Sequence, residues 1–498
     1  MRVCSVSRLL RKGSCFLLVC TLLTGIYTLF SLMQHRQEQS SGENSEAVVI
    51  PDSFAWQRNF KAAILGDSEL FPLLKVAVPP RTRLAGLLSP YGDGLNRDLL
   101  EYFARDYGFN LQFSEVPSLA QASELLIRGE VDLAAGFIAP ADFIRNSETN
   151  APDIALSPAY QNVSPALLYV GKSRSRESKL MVLDPEVSAV VKNAAALEKA
   201  PLSDDIFDLM NYLEQGHTGY AVVGSAYLSM LLPIFSDVRT SVRTLDGNAG
   251  RHWIWRDDSS LAALSLESFW KDKDTLRLLD DLHEKYWAFL PLRPNRSKIA
   301  ALVKGLEREL EQYHKSINAA AREFNIDPLL LTAVIYQESQ FRHTMGDNGQ
   351  GLMQLTRSTA DSLGVNADEP SANIRGGAKY LRLIFDSLPD DLPYWDRWFL
   401  TLAGYNQGPG MLKAAIRLAG RDNETLNWRA VKETYLYLES HPEAINRSQV
   451  RGRHVVNYVQ NVRYYYYILN GLVILDRPEA QHLTPLLAAV RGARPVGM

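Results

Sequence analysis

A chain of 498 residues with 53 Lys and Arg against 56 Asp and Glu, 46% of it hydrophobic, is too long for one compact core and divides into two or three domains. Its net charge of −3 excludes nucleic acid as the main partner, because that affinity comes from clustered cations neutralising phosphates. All three cysteines, Cys4, Cys15 and Cys20, lie in the first 20 residues, so the rest of the chain has no disulfide framework, thiolate metal site or catalytic cysteine.

At the amino terminus Arg2, Arg8, Arg11 and Lys12 precede the uncharged run Ser14 to Met33. At 1.5 Å per residue that run just crosses a hydrocarbon core of roughly 30 Å. It reads as an export signal, with the cationic end held in the cytoplasm and the remainder sent across. No small-x-small site closes it, so cleavage and retention as an inner-membrane anchor both stay open. A lipid anchor on Cys20 is disfavoured by the short apolar stretch after Lys12. The polar stretch Gln34 to Glu46 reads as a flexible tether.

Strand-like patterning begins at LKVAV (Leu74 to Val78), and a glycine turn leads to an amphipathic helix over Arg97 to Tyr107. The strand NLQFSEV, a helix over Leu119 to Arg128 and the apolar strand VDLAAGFI follow. This alternation predicts a mostly parallel sheet covered by helices. A second lobe begins near Lys179 with LMVLD, helices over Glu186 to Glu198 and Ser203 to Glu214, and the strand GYAVVG (Gly219 to Gly224). The chain returns near Arg251 with HWIW and two helices that end near Leu290.

GDGLNRDLLEYFARDYGFNLQF, LIRGEVDLAAGF and SPAYQN resemble the bacterial family 3 extracellular solute-binding domain. The resemblance covers roughly Leu74 to Phe289. It implies two lobes with a small ligand, often an amino acid, in the cleft between them. The family follows its third strand with a Thr-x-x-Arg segment whose arginine grips the ligand carboxylate. Here the segment is IAPADFIRN, which puts Asp142 at the arginine position and Arg145 nearly a turn later. A carboxylate there repels an α-carboxylate ligand, so the cleft is either degenerate or altered in specificity.

After the linker Leu290 to Lys298 the pattern is helical. Asp327 and Pro328 form a helix start, carboxylate at the cap and proline in the first position. In LLLTAVIYQESQF, Leu331, Val334, Ile335 and Glu338 share one face by their spacing. A carboxylate on an apolar stripe has its charged form disfavoured, as a general acid near neutral pH requires. Spacing alone favours the plainer alternative, in which the helix ends at Glu338 and the side chain stays solvated.

Beyond Glu338 come GDNGQGLMQLTRSTADSLG (Gly346 to Gly364), IRGGAKYLRLIF, LAGYNQGPGMLKAA and HVVNYVQNVRYYYYI. In this order they resemble the soluble-lytic-transglycosylase-like domain, an all-α fold related to goose-type lysozyme, over about Ser316 to Asn470. With an export segment and a solute-binding part ahead of it, the chain resembles the membrane-bound lytic murein transglycosylase family. The resemblance implies cleavage of the MurNAc-β-1,4-GlcNAc bond of peptidoglycan without water, leaving a 1,6-anhydro end. Glu338 would act first as acid and then as base. Ser339 would orient that carboxylate, Gln354 would bind an acetamido group, and Tyr405, Asn406 and Tyr458 would line the cleft, with a buried structural role as the alternative for each. The segment FRHTMGDNGQ is shorter than the family's and lacks its prolines, which puts this loop's contact with the sugar in question.

The tyrosines Tyr464 to Tyr467 read as helix packing with partial exposure. His343 and Asp347 have no further partner at metal-ligand spacing, so no metal or cofactor is expected. The expected partners are glycan strands, a membrane (the inner face of the outer membrane by resemblance) and an amino acid or muropeptide in the amino-terminal cleft. A hydrolase of the same bond and a catalytically dormant wall-binding protein are the competing readings. The boundaries are a signal or anchor segment (1–36), a linker (37–70), a two-lobed α/β domain (71–290), an all-α catalytic domain (300–475) and a tail (476–498).

Overall fold

The computed structural model describes residues 71–80, 90–140, 143, 154–170, 181–183, 187, 191, 205–291 except 245–248, 293–346, 349–422 and 426–487. The export segment, the tether, Asp142, Arg145, Asp347 and almost all of the helix expected over 186–198 lie outside the described residues. All the described residues belong to one compact unit.

The first lobe is built on β1 (Leu73–Val78), α1 (Leu95–Tyr107), β2 (Asn110–Glu115), α2 (Leu119–Ile127) and β3 (Leu133–Pro140). Helix α1 ends because Gly108 takes the left-handed conformation, its N–H bonding back to the Ala104 carbonyl. The Ser118 hydroxyl caps α2 by accepting from Gln121 N–H. β1 pairs in parallel with β2 and β3.

Beyond β3 the chain forms β4 (Ile154–Leu156) and β5 (Gln161–Val163), then crosses into the second lobe. Its sheet comprises β6 (Pro165–Val170), β7 (Met181–Leu183), β8 (Tyr220–Gly224) and β9 (Val238–Thr244), with α3 (Ile206–Glu214) ahead of β8. β10 (Ala249–Arg256) returns to the first lobe and lies antiparallel to β3, β4 and β5. The first sheet therefore has the order β2-β1-β3-β10-β4, and in the second only the β7–β8 pair is parallel. The sheets are mixed rather than mostly parallel, because a strand returning from the other lobe arrives in the opposite sense. Helices α4 (Leu261–Lys271) and α5 (Lys273–Tyr286) complete this part, giving a two-lobed α/β architecture.

The remainder is all-α, with α6 (Arg296–Glu323), α7 (Pro328–Ser339), α8 (Arg357–Leu363), α9 (Pro370–Asp386), α10 (Tyr394–Gln407), α11 (Pro409–Asp422), α12 (Trp428–Ser440) and α13 (Gly452–Ile474). Among the described residues no helix is long and apolar enough to cross a membrane. Residues 478–487 fold back, burying Ala480, Leu483 and Leu486, and Asn318 donates to the Pro485 carbonyl at 2.9 Å. Tyr464 to Tyr467 are all buried, so they pack as expected but without partial exposure.

Helix α5 is docked on α12 and α13. Glu284 accepts from Trp428 Nε1 at 3.0 Å, Arg463 Nη1 at 3.0 Å and Lys432 Nζ at 2.7 Å. Arg463, 1% exposed, also donates to the main-chain oxygens of Glu284 and Lys285, and its guanidinium lies over the Tyr91, Phe289 and Phe399 rings. The Tyr91 hydroxyl donates to the Arg463 carbonyl, and Tyr467 donates to Met230 O, each at 2.9 Å. One continuous hydrophobic core runs from Leu74 to Leu486 through both parts.

Candidate active site

Helix α7 delivers Glu338. Asp327 caps it, accepting from Leu329 N at 2.7 Å and Leu330 N at 3.4 Å, with Pro328 in the first helical position as the sequence predicts. The helix is not amphipathic, however: every residue from Pro328 to Tyr336 is buried. It is a central core helix, which explains why its periodicity carries no facial signal. It runs through Ser339, so the reading in which the helix ends at Glu338 with a solvated side chain does not hold. Gln340 and Phe341 then take left-handed φ values of 53° and 60°. Such backbone at non-glycine residues costs on the order of 1–3 kcal/mol each and persists where packing enforces it. Phe341 is 1% exposed and packs with Tyr336 and Tyr465, at ring separations of 5.6 Å and 4.8 Å from Tyr336.

Tyr458, on α13, donates its hydroxyl proton to Glu338 Oε1 at 2.5 Å. Burial pushes the Glu338 carboxyl up to about 7, and the Tyr458 hydrogen bond pulls partly against it. Tyr458 and Tyr405 are held well above the ordinary phenol range, first by burial and then by the nearby Glu338 charge, so both stay neutral donors.

The glycine loop is a miniature β arrangement. Gln350 and Leu355 exchange hydrogen bonds at 2.9 and 3.0 Å, and Gly351 N donates to Thr344 O at 2.8 Å. At its centre is Asn373 of α9, fully buried, which accepts from Met353 N at 2.7 Å and donates to the carbonyls of Gln350 at 2.9 Å and Ala367 at 3.3 Å. Gly351 has φ of 74°, and a methyl group there would overlap the Asn373 amide, so only glycine fits. Met353 O in turn accepts from the Tyr405 hydroxyl at 2.7 Å. The Tyr380 ring lies 5.4 Å from that of Tyr405.

Three sequence-predicted groups come together here: Glu338, Tyr458 and Tyr405. Two others are engaged differently from expectation. The Ser339 hydroxyl donates to Ile335 O at 3.2 Å, back along its own helix, so it does not orient the carboxylate; the Tyr458 hydroxyl occupies that role. The Gln354 amide nitrogen is committed to Gly351 O at 2.7 Å and Thr344 Oγ1 at 3.2 Å, which makes it a brace of the loop. Asn406 Oδ1, by contrast, is buried without a hydrogen-bond partner among the described residues. An unsatisfied buried acceptor costs about 1–3 kcal/mol and is accounted for when a ligand supplies the donor.

Sequence reading missed Asn373. Its signal is a polar residue at the position that Ile374, Gly377, Ala378 and Leu381 mark as the buried side of α9. Asn373→Ala frees two carbonyls and one N–H of the loop and is expected to cost about 2–4 kcal/mol in chemical denaturation. Equal stability of the two proteins would remove Asn373 as the anchor.

In the amino-terminal part, Arg251 on β10 bridges the lobes. It donates to Tyr227 Oη at 2.7 Å, to Gln161 Oε1 at 3.1 Å and to the Gly136 carbonyl.

Residues 315–427 match the family described as Transglycosylase SLT domain. The chain is 29% identical over 399 residues to membrane-bound lytic murein transglycosylase F of Pseudomonas fluorescens, covering 76% of this chain and 80% of that one. It is 31% identical over 322 residues to the protein of the same name from Marinobacter nauticus, covering 62% and 61%. A substrate-binding protein of an amino acid ABC transporter is 14% identical, with 43% of this chain and 99% of that one covered at a TM-score of 0.33. The carboxy-terminal half of this chain thus carries a transglycosylase SLT domain, and over three quarters of its length the chain resembles the membrane-bound lytic murein transglycosylases F.

Proposed function

We infer that the protein is a peptidoglycan lytic transglycosylase whose single acid-base group is Glu338. The observation that carries this reading is a carboxyl group pushed up to about 7 by burial and hydrogen-bonded to one neutral tyrosine. Two-carboxylate glycosidases need a nucleophile or base opposite the acid. One acid-base group suffices where the substrate supplies its own nucleophile.

Protonated Glu338 gives its proton to the oxygen of the MurNAc-β-1,4-GlcNAc bond, and that oxygen leaves with the bonding pair. The resulting carboxylate takes the proton of the muramoyl C6 hydroxyl as that oxygen bonds to C1. Glu338 ends protonated, no water is consumed and a 1,6-anhydro end remains. Tyr458 steadies the carboxylate in the interval, as a hydrogen bond to a charged group does most strongly. We assign the recognition of an acetamido N–H to Asn406, whose Oδ1 is buried without a partner among the described residues, and cleft-lining contact to Tyr405.

Mass spectrometry of peptidoglycan digested by the full chain tests the reading. Products one water lighter than hydrolytic fragments support it, and reducing ends alone would assign the site to a hydrolase. Because the Tyr458 bond lowers the Glu338 pKa, Tyr458→Phe should raise it further. The alkaline limb of kcat/KM, where the acid loses its proton above about 7, is expected to move upward while the plateau falls about 10- to 100-fold. An unmoved limb argues that Tyr458 acts elsewhere.

We propose further that the exported chain works at a membrane, on the inner face of the outer membrane if residues 14–33 are removed and at the inner membrane if they are kept. The mass of the mature amino terminus separates the two. The two-lobed domain is proposed to sense an amino acid or muropeptide in its cleft; a ligand that raises the melting temperature would reveal it.

A further inference from the structure

Helix α7 carries the acid, and little on its surface fixes where along its axis it sits. The side chains from Leu329 to Ile335 are all buried and, Thr332 apart, apolar. The Thr332 hydroxyl donates to Pro328 O at 2.6 Å and the Ser339 hydroxyl to Ile335 O at 3.2 Å, so both are spent inside their own helix. Apolar packing tolerates small slides, because burial of apolar surface is non-directional. A buried polar pair does not, and fixing register is the best-attested use of one.

Two such pairs join α7 to α13, one near each end. Tyr458 donates to Glu338 Oε1 at 2.5 Å, and Tyr466 donates to Asp327 Oδ2 at 3.1 Å. The earlier tyrosine meets the later carboxylate, as antiparallel helices require. Asp327 divides its oxygens: Oδ1 caps α7 through Leu329 N and Leu330 N, and Oδ2 takes the tyrosine. Tyr466 is itself held, 3% exposed, with its ring 5.6 Å from that of Trp395 and 6.1 Å from that of Tyr91. Burial first, and then the charge of Asp327, keep its phenol well above the ordinary range, so it stays a neutral donor. At the other end the tolerance is small: a slide of about 1 Å carries the Tyr458–Glu338 contact to the edge of hydrogen-bond range.

We propose that Tyr466 is a positioning residue for the acid: its hydrogen bond to the capping carboxylate of α7 sets that helix's register against α13 and so brings Glu338 onto the Tyr458 hydroxyl. The proposal rests on the reading of Glu338 as the acid-base group.

The test uses the full chain. Tyr466→Phe keeps the ring and removes only the hydroxyl. Its kcat on peptidoglycan is expected to fall about tenfold with KM unchanged, because a misplacement of about 1 Å costs up to about a hundredfold. The alkaline limb of kcat/KM should move upward by about half a pH unit, the direction in which loss of the Tyr458 bond moves it. In a Tyr458→Phe background the same substitution should cost less than about twofold more, since the contact it positions is already gone. Thr332→Val deletes another buried hydroxyl, one bonded within α7, and controls for lost stability; it should leave kcat and the limb in place. Should Tyr466→Phe fail to fold, Asp327→Ser keeps one capping oxygen and gives up the one Tyr466 uses, and the same fall and shift are expected. An unmoved limb, or an equal fall for Thr332→Val, overturns the proposal. A further readout is free of catalysis: the carboxyl carbon resonance of Glu338, identified by its absence from Glu338→Gln, should titrate at correspondingly higher pH in Tyr466→Phe. If that resonance shifts while the parent chain leaves peptidoglycan uncut, the register tie stands and the acid-base reading falls. If the parent chain cuts and neither limb nor resonance moves, the register tie alone falls.

Discussion

Glu338→Gln is expected to reduce turnover of peptidoglycan by about 10⁴-fold, the upper end for one acid-base group, because in the proposed mechanism the same carboxyl serves both steps. Glutamine keeps the size and still accepts from Tyr458, so the loss is chemical rather than a collapse of the site. The pH dependence of stability gives a separate reading. A carboxyl raised from 4.5 to about 7 by burial binds its proton more tightly folded than unfolded. Its contribution to stability is fully present below about 4.5 and is lost as pH rises through about 7. Glutamine does not titrate. The variant should match the parent chain's stability at pH 4 and exceed it at pH 8 by on the order of 3 kcal/mol, visible as a higher melting temperature. Parallel stability curves for the two proteins would mean that Glu338 is ordinarily solvated.

The largest loss of stability is expected at Glu284, far from the chemistry. Replacing it by leucine removes the carboxylate that pairs with both Arg463 and Lys432 and leaves a guanidinium of 1% exposure without its ion-pair partner among the described residues. Breaking a buried pair from one side costs about 3–5 kcal/mol. Denaturant titration of Glu284→Leu should show that loss. The double variant Glu284→Leu/Arg463→Met should lose less than the two single variants added together. Additive losses would mean the two side chains do not act as a pair.

Legibility in the sequence followed the range of the interaction. Asp327 with Pro328 is a contact of neighbours, and the structure uses it as read. The glycine-rich loop and the strand-helix alternation of the first lobe are likewise local patterns. Where a residue's role is set by a distant segment, the pattern misled. Helix α7 looked one-sided because Leu331, Val334 and Ile335 fall at helical spacing, yet other elements bury it all round. Ser339 beside Glu338 invited a contact that its own helix carbonyl takes instead. The antiparallel course of β10 depends on a strand returning from the other lobe, which alternation alone does not encode. Asn373 and the Glu284–Arg463 pair are invisible for the same reason: their partners lie 20 and 179 positions away.

Helix α13 carries Tyr458, which touches the acid, and within ten residues carries Arg463 and Tyr467, which touch the amino-terminal part. The consequence concerns how such chains can be recombined. A cut at the short connection 291–295 divides the sequence at a natural-looking seam but severs a core that neither piece owns. A chimaera that exchanges the helical part for another of its kind must carry matching residues for Glu284, Met230 and Tyr91, or α13 will lose its footing. Slowly exchanging amides of α13 should therefore share their protection with those of α5.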